Sequence, residues 1–94
     1  MPPPSSSLVY RPRGRLAKRT LGDETVLVDA RGRKVFLMNL VGATIWDAIE
    51  RGAAFDAIVS DVVARFRVEE TIARADVEDF LRELESCGLA EKTE

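Results

Sequence analysis

Histidine is absent from this 94-residue chain, which removes the commonest general base and the commonest metal ligand. Cys87 is the sole cysteine, so neither an internal disulfide nor a cysteine-rich metal site can form. A Ser-His or Cys-His nucleophile and an ordinary zinc site are excluded for the same reasons. Catalysis by carboxylates alone stays possible, but no motif supports it. We therefore expect a protein that is not an enzyme and that needs no metal or cofactor of its own.

Long hydrophobic runs are also missing. No apolar stretch approaches the roughly 18 to 20 residues needed to span a bilayer. The opening segment MPPPSSS has neither the basic nor the apolar region of a secretory signal. We expect a cytoplasmic protein without membrane contact. The composition, 46% hydrophobic and 32% charged, is typical of a globular chain, and 94 residues suffice for one small domain.

Charge is distributed unevenly along the chain. Residues 1–39 carry eight basic and three acidic side chains, a net of +5, and the remainder carries a net of −7. The first part has the patterns of strands and the second part has the patterns of helices. The strands are therefore basic and the helices acidic, so an electrostatic partner should meet different charges on the two halves.

Residues 34–49, KVFLMNLVGATIWDAI, are the stretch around which the rest is arranged. An apolar strand pattern runs into Asn39, and a helical pattern with apolar residues three or four apart begins directly after it. The Asn39 side chain can accept a hydrogen bond from an amide of the first helical turn. This cap explains how the spacing of apolar residues changes from that of a strand to that of a helix without a loop. The junction therefore connects a sheet directly to a helix.

The strand before this cap is apolar on both faces. Alternation places Phe36 and Met38 on one face and Val35 and Leu37 on the other. An exposed antiparallel strand usually has one polar face, so the pattern predicts cover on both sides. Val35 and Leu37 then pack either under the N-terminal arm of the chain or against a guest peptide.

Three strands followed by three helices are predicted, which gives an α+β, winged-helix-like fold with a three-stranded antiparallel sheet. Turn signals at Gly22-Asp23 and Arg31-Gly32 separate the strands. The predicted strands cover residues 15–20, 24–29 and 33–38, the helices cover 40–50, 54–66 and 72–87, and a short final strand is possible at residues 89–90.

The predicted domain spans residues 14–92 and follows a flexible N-terminal arm, residues 1–13. Within the arm, residues 1–7 are Pro and Ser after Met1, whereas residues 8–12 are more apolar and either stay loose or lie on the domain. Thr71 is a candidate cap for the third helix, and Gly88 is a candidate stop.

Several residue pairs resemble, in their order and spacing, the pattern of the PqqD family. They are Met38-Asn39, Gly42-Ala43, Ile45-Trp46, Asp76-Val77, Phe80-Leu81 and Gly88-Leu89, together with Leu84 and the helix of residues 55–66. The resemblance covers about residues 10–91. Met38 replaces the usual Leu, which is a change of similar volume. Ala53-Ala54 precede the second helix where the family often has a Thr cap, so we expect a weaker cap there.

The resemblance implies a small peptide-recognition element. Such proteins bind the leader of a ribosomally made precursor peptide and deliver its core to a modifying enzyme. The family's enzymes include radical SAM enzymes, lasso-peptide proteases and cyclases, and enzymes of quinone-cofactor synthesis. In the family the leader adds as a strand beside the third strand and packs against the third helix. The resemblance thus implies a peptide chaperone whose partners are a precursor leader and a modifying enzyme, and we expect it to be a monomer.

Edge-strand physics supports the same site independently, because an edge strand offers unpaired amides and carbonyls to a guest strand. The predicted peptide-binding residues are Lys34, Val35, Phe36, Leu37 and Met38 on the strand and Val77, Phe80, Leu81 and Leu84 on the third helix. The apolar residues of the third helix also have the spacing of a helical face that packs into a core. Trp46, Phe80 and Cys87 are expected to be buried. Arg31, Arg33 and Lys34 are either solvated hairpin charges or groups that steer an acidic leader.

A winged-helix DNA-binding protein is the main alternative, because three short helices with strands can form one. Charge argues against it. Between residues 71 and 87, Arg74 and Arg82 stand against five carboxylates, a net of −3. Phosphates would repel a recognition helix of that sign, so we expect no specific nucleic-acid partner. A dimerisation or scaffold module is a further alternative.

Overall fold

The computed structural model describes residues 9–14, 16–29 and 35–93. The elements in these ranges are β1 (Val9–Pro12), β2 (Leu16–Leu21), β3 (Glu24–Asp29), β4 (Val35–Met38), α1 (Leu40–Glu50), α2 (Phe55–Phe66), α3 (Glu70–Ser86) and β5 (Ala90–Thr93). The α+β class and the order of three sheet strands before three helices are confirmed. β1 is an additional short strand, and the expected short final strand is present as β5, which begins at Ala90.

β2, β3 and β4 form an antiparallel sheet in that order, with β3 in the centre. β3 has the predicted bounds, and β2 lies one residue later than predicted. Gly22, in the predicted turn between them, has a φ of 61°, which glycine adopts without steric cost. The second predicted turn and the start of the third strand, residues 31–34, lie outside the described residues. The strand order leaves β4 at an edge of the sheet, as predicted.

α1 begins at the predicted cap. The Asn39 side chain accepts a hydrogen bond from the Gly42 N–H at 2.9 Å, and the Asn39 carbonyl accepts from the Ala43 N–H at 2.9 Å. Asn39 thereby satisfies an amide that a helix start leaves without a partner. The helix follows β4 without a loop, so the orientation of this sheet edge is coupled to the orientation of α1.

Lys18 ties β2 to α1 on the inner side of the sheet. Its Nζ donates to Asp47 Oδ1 at 3.0 Å and to Glu50 Oε1 at 2.8 Å. These hydrogen bonds raise the pKa of Lys18 above its ordinary value, and the bond to Glu50 contributes more than the bond to Asp47. The two ion pairs link one strand to the helix.

The beginnings of α2 and α3 depend on packing more than on capping. Ala54 precedes α2 without a side-chain cap, which confirms the expected weaker cap. The predicted cap at Thr71 is wrong, because α3 begins at Glu70 and its N-cap residue, Glu69, also makes no side-chain cap. Burial of the apolar stripe stabilises the helix, and Glu70 interacts favourably with the positive end of the helix dipole.

β1 belongs to the predicted N-terminal arm, and its residues lie on the domain, which is one of the two alternatives left open for the apolar part of the arm. Val9–Pro12 pairs antiparallel with β5, and the Arg13 N–H donates to the Leu89 carbonyl at 2.9 Å. Tyr10 is buried among core residues. Burial is the main cause of the raised pKa of its phenol, and the nearby Glu85 carboxylate raises this pKa further. The apolar part of the arm thus closes the domain at its C-terminal end. Residues 1–8 lie outside the described residues.

The hydrophobic core lies between the inner face of the sheet and the helices. Trp46 is 1% exposed, which confirms its predicted burial, and it belongs to one cluster with Leu27 of β3 and Ile58 of α2. Cys87 is half-buried and packs against this cluster. Among the described helices, none combines the length and the apolar character required to cross a membrane.

Candidate functional site

The open edge of β4 is the first component of the candidate site. β3 pairs with one side of β4, and no other described strand pairs with its second side. In an antiparallel pair, alternate residues direct both their N–H and C=O groups away from the partner strand. Two of the four residues of β4 therefore direct backbone donors and acceptors towards the open edge.

A groove of about 410 Å³ runs beside this edge, between β4, α1 and α3. Its lining consists of Phe36, Leu37 and Met38 from β4, Asn39 at the junction, Val41, Gly42 and Ile45 from α1, and Asp76, Asp79, Phe80 and Glu83 from α3. Apolar side chains from all three elements meet in it, and three carboxylates line it from α3. The groove therefore combines an apolar floor with an acidic rim.

The floor depends on a close approach between the helices at Gly42. The ring centroids of Phe36 and Phe80 lie 5.9 Å apart with the planes tilted by 38°. A Cβ atom placed on Gly42 would lie 3.1 Å from the Met38 Cβ and 3.1 Å from the Phe80 Cζ. Real Cβ contacts are rarely this short, so the absence of a side chain at Gly42 lets the Phe80 ring lie against α1.

The outer face of β4 is open. Val35 is 62% exposed and Leu37 is 67% exposed. β1 pairs with β5 and does not cover this face, and cover by a guest peptide stays a prediction. The N-terminal arm is one of the two covers proposed for Val35 and Leu37, and its described part does not cover them.

The structure brings together some predicted site residues and separates others. Phe36, Leu37, Met38 and Phe80 line one groove, and Phe80 is half-buried rather than fully buried. Val35 lies on the same edge strand, and Lys34 is outside the described residues. The remaining three predicted residues, Val77, Leu81 and Leu84, are fully buried in the core beneath the groove. The assignment of the set to peptide binding stays a prediction.

The acidic rim was missed by sequence reasoning. Asp76, Asp79 and Glu83 line the groove together with Phe80, and their positions are separated by three and four residues. Side chains at this spacing lie on one helical face. The relation of this spacing to Phe80, which is among the predicted peptide-binding residues, could have identified the rim.

The described residues offer little for metal or polar-ligand chemistry elsewhere. They contain no group of three or more acidic, Cys or His side chains arranged to hold a metal ion. A second pocket of about 220 Å³ lies between α1 and α2, and Arg51 and Asp61 in its lining pair with each other at 2.8 Å. The groove beside β4 is therefore the stronger candidate site.

Gly42→Ala is expected to lower the free energy of unfolding by about 1 kcal/mol. Alanine gains roughly 0.5–1 kcal/mol over glycine within a helix, but overpacking against Met38 and Phe80 costs about 1–3 kcal/mol. Urea denaturation followed by circular dichroism measures the difference. In a Phe80→Leu background the same change should cost less, because leucine lacks the distal ring atoms and only the contact with the Met38 Cβ remains. A stabilised single variant would contradict the close contact at Gly42.

Comparison with solved structures gives two proteins of the same fold. The chain is similar to TbiB1 in complex with the TbiA(beta) leader peptide, with a TM-score of 0.78, 28% sequence identity, and coverage of 86% of this chain and 94% of that chain. It is also similar to lasso peptide synthetase B1 complexed with the leader peptide, with a TM-score of 0.78, 22% identity, and coverage of 87% and 96%. The second likeness concerns the fold alone.

Family comparison covers most of the described domain, although no curated protein matches the chain. The family model described as coenzyme PQQ synthesis protein D (PqqD) matches residues 24–90. This range contains β3, β4 and the three helices that form the groove and its supporting core. The chain therefore belongs to the PqqD family.

Proposed function

We propose that this chain binds the leader segment of a ribosomally made precursor peptide as an added strand on β4 and presents the peptide to a modifying enzyme. The observation that carries the proposal is the open edge of β4 beside a groove with an apolar floor. A guest strand would satisfy the outward backbone groups of β4, and its alternate side chains would enter the groove. Family membership and the likeness to TbiB1, whose structure contains a leader peptide, support this occupant.

Presentation, not catalysis, is the proposed role. The chain has no histidine and a single cysteine, so it lacks the residues that most often carry proton transfer and nucleophilic attack. The modifying enzyme, such as a radical SAM enzyme or a lasso-peptide protease or cyclase, would supply the chemistry. This chain would supply binding and orientation without a cofactor, in the cytoplasm where the precursor is synthesised.

An isotope-labelled titration tests the proposal. The probe is a synthetic peptide that carries the N-terminal part of a short precursor encoded beside this gene. We expect saturable binding in which the backbone amides of residues 35–38 and of the exposed face of α3 shift together, because the guest contacts both elements. A peptide of the same composition in scrambled order is the control. Shifts confined to α1 and α2, with β4 unchanged, would contradict the proposed site.

A gel shift with duplex DNA tests the winged-helix alternative. We expect no sequence-specific complex at physiological salt, since α3 carries an excess of carboxylates that phosphates repel. Weak binding that disappears as the salt concentration rises would reflect the basic N-terminal part of the chain. A complex that survives competitor DNA and gives a footprint of defined sequence would overturn the peptide-binding proposal.

A further inference from the structure

Both arginines of α3 are engaged on the sides of the helix that face away from the groove. Arg82 donates to Glu78 one turn earlier, and Arg74 donates to Asp56 of α2 at 2.9 Å. The Arg74 guanidinium also lies over the Phe55 ring, 5.5 Å from its centroid. These contacts hold the positive charges of α3 away from the groove.

The carboxylates that line the groove have no such partners. Asp76, Asp79 and Glu83 are exposed, and no cation of the described chain forms an ion pair with any of them. Like charges three and four residues apart on a helix repel one another. A cation brought in by a guest would relieve this repulsion at the border of an apolar floor.

We propose that the guest strand carries a lysine or arginine two residues away from the apolar side chain that enters the groove, and that this cation binds the acidic rim formed by Asp76, Asp79 and Glu83. The inference rests on the proposed function and specifies the chemistry of its peptide. It assigns two roles to one groove, in which the floor around Phe80 accepts an apolar group and the rim accepts a positive charge.

The spacing follows from the geometry of the two elements. The rim extends for about 10 Å along α3, at 1.5 Å per helical residue. Alternate residues of a guest strand lie on the same face and are about 6.8 Å apart. When an apolar guest residue lies over Phe80, the residues two positions before and after it face the same side. We expect a long basic side chain at either position to reach a carboxylate of the rim, because the carboxylates and Phe80 line the same groove.

The rim would also reject peptides of the wrong charge. An aspartate or glutamate of the guest at either flanking position would meet carboxylates that already repel one another. Specificity is a difference between affinities, and like-charge contacts against a wrong partner contribute to it as much as attraction to the right one. The rim would therefore select among leaders that share the same apolar residue.

Parallel selections from a displayed library of random peptides test the inference. The wild-type protein is compared with a groove variant, Asp76→Asn with Asp79→Asn and Glu83→Gln, and with a control variant, Glu70→Gln with Glu85→Gln, whose carboxylates form no ion pair among the described residues. The groove variant removes all three carboxylates of the rim, whereas the control removes two carboxylates of α3 that lie outside the groove. We expect Lys or Arg to be enriched two residues from an apolar position on the wild type and on the control, and not on the groove variant.

A single selected peptide then gives the magnitude. Replacing its basic residue with glutamine should weaken binding to the wild type by roughly two- to five-fold, as for exposed ion pairs, and should leave binding to the groove variant unchanged. Absence of the basic preference, or its survival in the groove variant, would overturn the inference and leave the proposed function intact. Selected peptides that bind without shifting the amides of β4 would instead contradict the proposed function.

Discussion

Trp46→Ala should lower the free energy of unfolding by about 3–5 kcal/mol, as large truncations in a packed core do. Trp46 lies on the buried face of α1 and is 1% exposed. The same helix continues from β4 and forms one wall of the groove, so the loss of this side chain affects the support of the candidate site. Since small domains have a total stability of roughly 5–15 kcal/mol, the variant should unfold at a much lower urea concentration, measured by circular dichroism.

Two further variants separate burial from other effects of the substitution. Ile72 is 51% exposed on α3, so Ile72→Ala should change the free energy of unfolding by less than about 0.5 kcal/mol. The Trp46 Nε1 has no acceptor among the described residues, and an unsatisfied buried donor costs about 1–3 kcal/mol. Trp46→Phe removes that donor and should cost less than half as much as the alanine change. An unchanged midpoint in Trp46→Ala would contradict the assignment of the core.

The junction at Asn39 could be predicted from sequence because its signals are local. A strand pattern, a capping side chain and a helical pattern follow one another within a few residues, and each depends on nearest neighbours along the chain. The bounds of α1 agree with the prediction for this reason. The start of α3 was placed two residues late because Thr71 has the chemistry of a cap, whereas the helix begins without one.

Contacts between distant segments were harder to predict. Val9–Pro12 pairs with Ala90–Thr93 across nearly the whole length of the chain, and nothing in either segment identifies the other. The apolar stripe on α3 presents the same difficulty, since its spacing is equally consistent with core and groove positions. For Phe80 the position depends on Gly42, because the missing side chain at Gly42 lets the Phe80 ring lie at the groove. Val77 remains in the core.

Leu37→Pro is expected to weaken binding of the leader peptide by at least roughly ten-fold. Proline has no backbone N–H, the loss of one hydrogen bond costs about 0.5–1.5 kcal/mol, and the ring hinders pairing on a strand. The Leu37 side chain is 67% exposed, so its own packing contributes little to stability. Leu37→Ala is the matched control, because it shortens the same side chain and keeps the N–H. It should weaken binding by no more than about two- to three-fold. Isothermal titration with the leader peptide measures both variants after circular dichroism has shown that they fold.

Hydrogen exchange on the wild-type protein tests the same prediction when the proline variant does not fold. The outward amides of β4 belong to alternate residues, so an added strand should protect either positions 35 and 37 or positions 36 and 38. The amides that already bond to β3 should change little when the peptide is added. This alternation distinguishes strand addition from a peptide that merely covers the groove, which would slow exchange without a two-residue period. Protection without alternation would show that the guest does not pair with β4, and so would equal affinity of the folded proline and alanine variants when positions 35 and 37 are the outward pair.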